Sequence, residues 1–588
     1  MASLFPPALL FLGAALLIPF FRGTARKAFI LAVPVVTFWQ LTTLPLGAHW
    51  TVPFLNAYDL TLLKVEPIRL CFAYVFVIMA FLASTFALHE RKPFQHMAAF
   101  AYVGSSLGVA FAGDFFTLFI FWELMAVTSA AIIFLRNTKA AREAGQRYLL
   151  VHIAGGACLM AGVVFQLLAT GSLAIVRPEP GLAFSFILVG FCLNAAVPPL
   201  SAWLSDAYPE GSVTGSIYLT AYTTKTAVLT LALVFPGTEI LVWGGAIMAL
   251  YGVVFAVLEN DIRRLLAYHI ISQVGYMVCG VGLGSALALN GVTSHAFCHI
   301  LYKGLLFMGA GAVIYATGKR QLSELGGIWR LMPVTVVLYM IGAFSISGVP
   351  GFNGFVSKTM IISAAGGIHR PVIELMLLLA SIGTFLHTGL KLPYFTFVAP
   401  KNRGLTVRSL PINMHFAMGG AAFLCTFIGV YPEVLYNILP FGAEYHPYTP
   451  SHVIGEFQLL IATGIAFMVY IDQLGGHPAI TLDTDWFYRR GATWFFRASD
   501  VVTNSINATA DNVFMRTAAP RLARYMRDGA SNIVLNVLTP LWSLDGVEPK
   551  EIAHRKIQIR KMLSTGSVPI GVSAFAATIV FIVFFTLM

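Results

Sequence analysis

Apolar runs longer than the ~18 residues needed to cross a bilayer recur along the whole chain, parted by short polar gaps. The pattern predicts spans near 3–21, 28–47, 67–88, 95–113, 115–135, 146–170, 182–205, 212–235, 239–258, 265–286 and 291–317, and again near 372–398, 412–432 and 453–473. Residues 331–367 are too long for one straight span and contain "SISGVPGFNGF", so they read as one broken crossing or as two. Residues 474–565 are polar and basic with aromatics interleaved, as in "DTDWFYRRGATWFFRASD". That mixture suits amphipathic helices lying in the membrane interface or against neighbouring spans. A last apolar run, 567–588, can span again. The prediction is an all-α polytopic membrane protein. Its divisions are N-terminal helices (1–66), a core (67–432), an additional span (433–473), an amphipathic cytoplasmic region (474–566) and a C-terminal span (567–588).

Composition agrees: 58% of the 588 residues are hydrophobic and 11% charged, against about 25% charged in soluble domains. The net charge of +11 reflects Lys and Arg gathered in alternate loops. These are Arg22, Arg26 and Lys27; Arg91 and Lys92; Arg136, Lys139, Arg142 and Arg147; Arg263 and Arg264; Lys319, Arg320 and Arg330. Basic loops face the cytoplasm, which puts the N-terminus on the non-cytoplasmic side and points to a membrane partner, not nucleic acid. The same rule favours one crossing for 331–367, because the basic loop with Lys401, Arg403 and Arg408 then also falls inside. No basic stretch precedes the first apolar run, so residues 3–21 are expected to stay as a span and not to be cleaved. The six cysteines are scattered through apolar spans without metal-ligand spacing, which argues against iron–sulfur, zinc or disulfide chemistry within the chain.

Ionisable groups inside membrane helices cost several kcal/mol unless paired or hydrated. Glu123 lies mid-span in "LFIFWELMAVTSA", and Lys225 in "LTAYTTKTAVLTLAL". His295, His299 and Lys303 recur every fourth residue in "SHAFCHILYKGLLF", which stacks them on one helix face. Lys358 follows the break in "VPGFNGFVSKTMI", and His387 and Lys391 lie four apart in "TFLHTGLKLPYF". Packing, snorkelling or loop roles account equally well for Lys358, His387 and Lys391. For Glu123, Lys225 and the stack, apolar flanks on both sides favour a path for protons. "LNAAVPPLSAW" and "SGVPGFNGF" both break helices, roughly 150 residues apart, and broken helices supply ion sites at mid-depth. Two histidines one turn apart on one helix cannot ligate opposite faces of one haem iron, which argues against a redox centre on the stack.

Five segments in order carry a resemblance: "DFFTLFIFWELMAVTSAAIIF", "PPLSAWLSDAYPEGSVTGSIYLTAYTTKTAV", "NDIRRLLAYHIISQVGYM", "SHAFCHILYKGLLFMGAGAVIYA" and "VPGFNGFVSKTMI". Over about 65–430 the chain resembles the antiporter-like membrane subunits shared by respiratory complex I and Mrp-type cation/proton antiporters. The D subunit of the Mrp type looks nearest, while the C-terminal region resembles the lateral and final helices of the distal complex I pump subunit. The resemblance implies fourteen core helices with two inverted five-helix repeats, each holding a broken helix. It gives Glu123, Lys225, His295, His299, Lys303 and Lys358 the roles of the family's buried proton carriers; Lys391 joins the expected proton path from its own place in the apolar run. One position departs. The family normally has a lysine nine residues before Trp203, as partner of the glutamate; here Asn194 stands there. Lys225 could take over the pairing, a cation such as Na⁺ could join Glu123 and Asn194, or the subunit could conduct without gating or not transport.

Two readings follow. The first is a proton-translocating subunit, exchanging H⁺ for Na⁺ or K⁺ in the antiporter version, within a multi-subunit assembly of a bacterial inner membrane. The second is a non-pumping structural subunit. Neither needs a cofactor or a metal, and no catalysis is expected from this chain alone, even inside an NADH:quinone oxidoreductase-like or hydrogenase-like complex.

Overall fold

The structure is a computed structural model, and it describes residues 5–55, 58–400, 405–442, 444–476, 482–564 and 570–587. The chain divides into two compact units, Met1–Asp485 and Trp486–Met588. Among the described residues, ten helices are both long and apolar enough to cross a membrane. Shorter apolar helices, Pro7–Phe20, Leu182–Asn194, Pro333–Ser347 and Ala574–Thr586, join them.

Helix starts and stops follow side-chain chemistry. Asp114 caps the helix Phe115–Phe134 by accepting from the Thr117 amide at 2.7 Å. The same carboxylate accepts from the Thr61 amide at 2.6 Å, which anchors this helix to the strand Tyr58–Lys64. Ser285 caps the helix Ala286–Thr317, and Gly318 ends it with φ +71°. Side-chain caps of this kind satisfy amides that would otherwise be orphaned at the membrane boundary.

The helix Ala286–Thr317 runs through the centre of the first unit, buried along nearly all its length. Around it pack Pro67–Phe86, Ile262–Leu283, Pro333–Ser347, Asn353–Gly367 and Ile412–Val430. The helices Glu239–Leu258 and Ile262–Leu283 meet with their backbones nearly touching. A Cβ on Gly245 would lie 2.2 Å from the Cys279 amide nitrogen, so only glycine fits there.

Both expected breaks are present. Leu182–Asn194 stops, Ala196 turns through φ +59°, and Ala202–Ala207 continues. Residues 331–367 form two fifteen-residue helices, Pro333–Ser347 and Asn353–Gly367. At ~1.5 Å per residue, neither crosses a ~30 Å hydrocarbon core alone. The loop after the next helix, Pro371–Val398, lies at the basic end: the Arg408 amide donates to the Ala316 carbonyl at 2.9 Å, next to Lys319 and Arg320. That is where a single crossing puts it. Lys401 and Arg403 lie outside the described residues.

Carboxylates tie the basic loops together. Glu210 pairs with Arg136 at 2.6 Å and Arg320 at 2.9 Å, while Asp206 takes Arg147 at 2.7 Å. One feature runs against a purely helical expectation. A hairpin of His49–Phe54 and Tyr58–Lys64 follows the second helix, Gly23–Thr43, which ends earlier than the predicted 47. Widened turns of π type occupy Phe385–Lys391 and Tyr394–Val398.

From Trp486 on, the second unit holds the rest of the helix Asp485–Ala510, then Asp511–Ala518, Ala519–Arg527, Gly529–Leu544, Pro549–Leu563 and Ile570–Leu587, with large apolar residues such as Phe487, Trp494 and Phe496 exposed. The division falls later than the composition change at 474. Tyr268 donates to Asp483 at 2.7 Å, and Tyr251 also bonds Asp483, which holds that segment to the first unit.

Candidate site: a buried polar chain through the helix bundle

Glu123 projects from the middle of Phe115–Phe134 toward Gly156 on the helix Lys139–Thr170. A Cβ on Gly156 would lie 1.7 Å from Glu123 Oε1, so the glycine makes room for the carboxylate. That oxygen is buried and has no hydrogen-bond partner among the described residues. One step along, Gly155 faces Leu193, the neighbour of Asn194. Asn194 is fully buried as the last residue of its helix, and neither end of its carboxamide has a partner among the described residues.

Between this corner and Lys225 lies an aromatic cluster that sequence reading did not single out. The His152 ring stacks on Tyr148 at 3.9 Å and meets Trp203 edge-on at 4.5 Å. Trp203 Nε1 donates to the Leu193 carbonyl at 2.9 Å, the same oxygen that accepts from the Ala196 amide at 3.0 Å. Tyr148 bonds Ser129 at 2.8 Å, and Tyr102 bonds Thr223 at 2.6 Å, on the turn that carries Lys225. His152 Nε2 and the Tyr208 hydroxyl are buried and, among the described residues, unpartnered.

The lysines share one arrangement. The Lys225 helix is interrupted at Tyr222, and Lys225 Nζ donates to the Thr220 carbonyl at 2.6 Å. Lys358 Nζ donates to the carbonyl of Ser347, the last residue before the second break, at 3.1 Å, and to Ser381 at 2.6 Å. Lys391 Nζ donates to the carbonyls of Val257 and Glu259 at the end of Glu239–Leu258. Each ammonium therefore sits on the negative end of a helix or half-helix. Lys303 differs. It is fully buried, its Nζ has no hydrogen-bond partner among the described residues, and it lies 5.9 Å from the centre of the Phe307 ring.

The central stack connects onward. His295 Nδ1 is 3.2 Å from Ser357 Oγ, in the turn before Lys358. The His295 and His299 rings lie 6.2 Å apart, and the His299 ring is 5.3 Å from that of Tyr302. Both ring nitrogens of His299 lack a partner among the described residues. Tyr302 donates to Gln273 at 3.4 Å, Gln273 donates to Thr384 at 3.4 Å, and His269 bonds the same hydroxyl at 3.2 Å. His269 then meets His387 ring to ring at 4.8 Å, and Lys391 follows one turn later on the widened helix. Tyr302, Gln273, His269 and Thr384 thus bridge two predicted groups that seemed separate in the sequence.

The structure also adds a carboxylate. Glu456, on Pro450–Val469, is 8% exposed. Its Oε1 and Lys358 Nζ would lie 3.1 and 2.9 Å from a Cβ on Gly348, so both reach the same glycine of the break. Among the described residues no group of three or more His, Cys, Asp or Glu is arranged to hold a metal.

A long central helix with unpartnered ionisable groups, flanked by two broken helices and lysines on helix ends, is the build of an ion-handling membrane subunit. Comparison with known proteins agrees. Residues 112–386 match the family described as "NADH:quinone oxidoreductase/Mrp antiporter, TM". The chain is 31% identical over 347 residues to the D subunit of the Na⁺/H⁺ antiporter of Alkalihalophilus pseudofirmus, covering 55% of this chain and 70% of that one. This protein belongs to that family and is a multi-pass membrane protein. Its fold matches a chain of the Mrp complex from Dietzia sp. with TM-score 0.71 and 22% identity, over 92% of this chain and 62% of that one. It also matches a chain of the membrane-bound sulfane sulfur reductase, an archaeal respiratory membrane complex, with TM-score 0.70 and 23% identity, over 91% of this chain and all of that one.

Proposed function

We propose that this protein is the proton-translocating subunit of a multi-subunit assembly of the Mrp or complex I type, with H⁺ exchanged for Na⁺ or K⁺ in the antiporter case. Protons move along Glu123, Lys225, the His295–His299–Lys303 stack, Lys358 and Lys391. The single observation that carries this reading is the central helix. Three ionisable side chains are fully buried there, and His299 and Lys303 have no protein partner among the described residues. A packing role rewards satisfied groups, and these are the groups a water-borne proton relay leaves open. The relative named as part of a Na⁺/H⁺ antiporter supports the substrate class. The location follows as a bacterial inner membrane, with the N-terminus on the non-cytoplasmic side and residues 67–432 as the translocating core.

Asn194 favours a second reading. Its carboxamide at the first break and Glu123 Oε1 are both unpartnered among the described residues, and asparagine cannot supply the cation of a glutamate–lysine pair. In this reading the subunit holds partners together without pumping. Reconstitution of the complex with and without Lys303→Ala decides between the two, since a scaffold leaves the flux unchanged by that substitution. The complex, purified in mild detergent and placed in liposomes, is given a pH gradient with Na⁺, K⁺ or neither. Dissipation above that of empty liposomes is expected; dissipation equal to theirs contradicts transport.

A further inference from the structure

Away from the polar chain, the first turns of Gly23–Thr43 and the loop after Pro67–Phe86 enclose a cavity of about 510 Å³. Arg26, Lys27 and Arg91 line it, with Glu90 as the one carboxylate among the described lining residues and His89 and His96 beside them. Arg26 Nη1 donates to the Arg91 carbonyl at 2.8 Å, which fixes the two segments against each other. Burial holds the His89 imidazole below its ordinary value, and Arg26, Lys27 and Arg91 outnumber Glu90, which sets the sign of the cavity. The same two helices continue into an apolar cleft of about 380 Å³, lined by Pro34, Val35, Phe38, Ile78, Phe81 and, on the facing helix Ile412–Val430, Phe423. Pro34 follows Ile30, which lines the cavity, by one turn, about 6 Å. A basic chamber at the end of Gly23–Thr43 is therefore followed, one turn further along the same helix, by an apolar cleft.

Neither half alone selects an occupant, but their order does. A phosphate fits the basic chamber, and only a molecule joining that phosphate to hydrocarbon fills both parts. Val35 and Phe423 are 56% and 65% exposed, so the cleft is open along its side to an acyl chain. We propose that this site binds one anionic phospholipid, its headgroup phosphate on Arg26, Lys27 and Arg91 and one acyl chain in the cleft between Gly23–Thr43 and Pro67–Phe86. The proposal is independent of whether the polar chain carries protons.

The test is native mass spectrometry of the intact complex, purified in mild detergent and incubated with phosphatidylglycerol or phosphatidylcholine. Retention of one phosphatidylglycerol in preference to phosphatidylcholine is expected. Lys27→Gln with Arg91→Gln lowers that retention about thirtyfold, the equivalent of roughly 2 kcal/mol. Lys27→Arg keeps it, and glycerol phosphate at millimolar concentration does not displace the lipid. Equal retention of both lipids, or retention unchanged in the double variant, overturns the proposal. So does displacement by glycerol phosphate, which would assign the chamber to a free phosphate, or a cleft found cross-linked to a neighbouring subunit.

Discussion

At the scale of single residues, the buried lysines Lys225, Lys358 and Lys391 rest on backbone carbonyls at helix ends, where the partial negative charge lowers the cost of an ammonium in a dry interior. Most of these residues were legible, because a charge flanked on both sides by apolar residues stands out. His152, His269 and Glu456 were not singled out, although apolar residues flank His152 and His269 as well, and only packing shows what each faces. Gly156→Ala tests the Glu123 corner, since the added methyl displaces the carboxylate. It is expected to lower proton flux at least tenfold while the complex still assembles, as read by liposome flux and gel filtration. Unchanged flux would mean that the position of Glu123 does not matter. Glu456→Gln should likewise reduce flux several-fold without loss of the complex, because it removes the carboxylate that shares Gly348 with Lys358.

At the scale of elements, the breaks do the positioning. The Pro and Gly residues of "AAVPPLSAW" and "SGVPGFNGF" marked both breaks in the sequence, because proline lacks an amide and glycine tolerates the left-handed turn. The break at Tyr222 carries no such residue pattern, and tertiary packing sets it, whereas the widened turns around His387 do hold Gly389 and Pro393. The hairpin of residues 49–64 was missed because its short strands lie between two strong apolar runs. The helices Glu239–Leu258 and Ile262–Leu283 depend on backbone contact at Gly245. Gly245→Val is therefore expected to destabilise the purified complex by ~1–3 kcal/mol, seen as a lower thermal midpoint. An unchanged midpoint would show that the helices can separate there at no cost.

At the scale of the whole molecule, fold class and membrane character followed from hydropathy alone, since the bilayer admits few architectures. The linkage of the His stack to His387 did not, because Gln273 and Thr384 come from helices distant in sequence. The basic, aromatic second unit exposes large apolar side chains, which suits bracing of neighbouring subunits. Deleting residues 474–588 should dissociate the assembly in mild detergent; an intact assembly would refute bracing. The central claim is that protons cross through the stack, and Lys303 is its most isolated member. The most direct test is proton flux through the reconstituted complex carrying Lys303→Ala, with assembly checked by gel filtration. The account predicts a loss of at least tenfold in an intact complex; flux equal to that of the unaltered complex would contradict it.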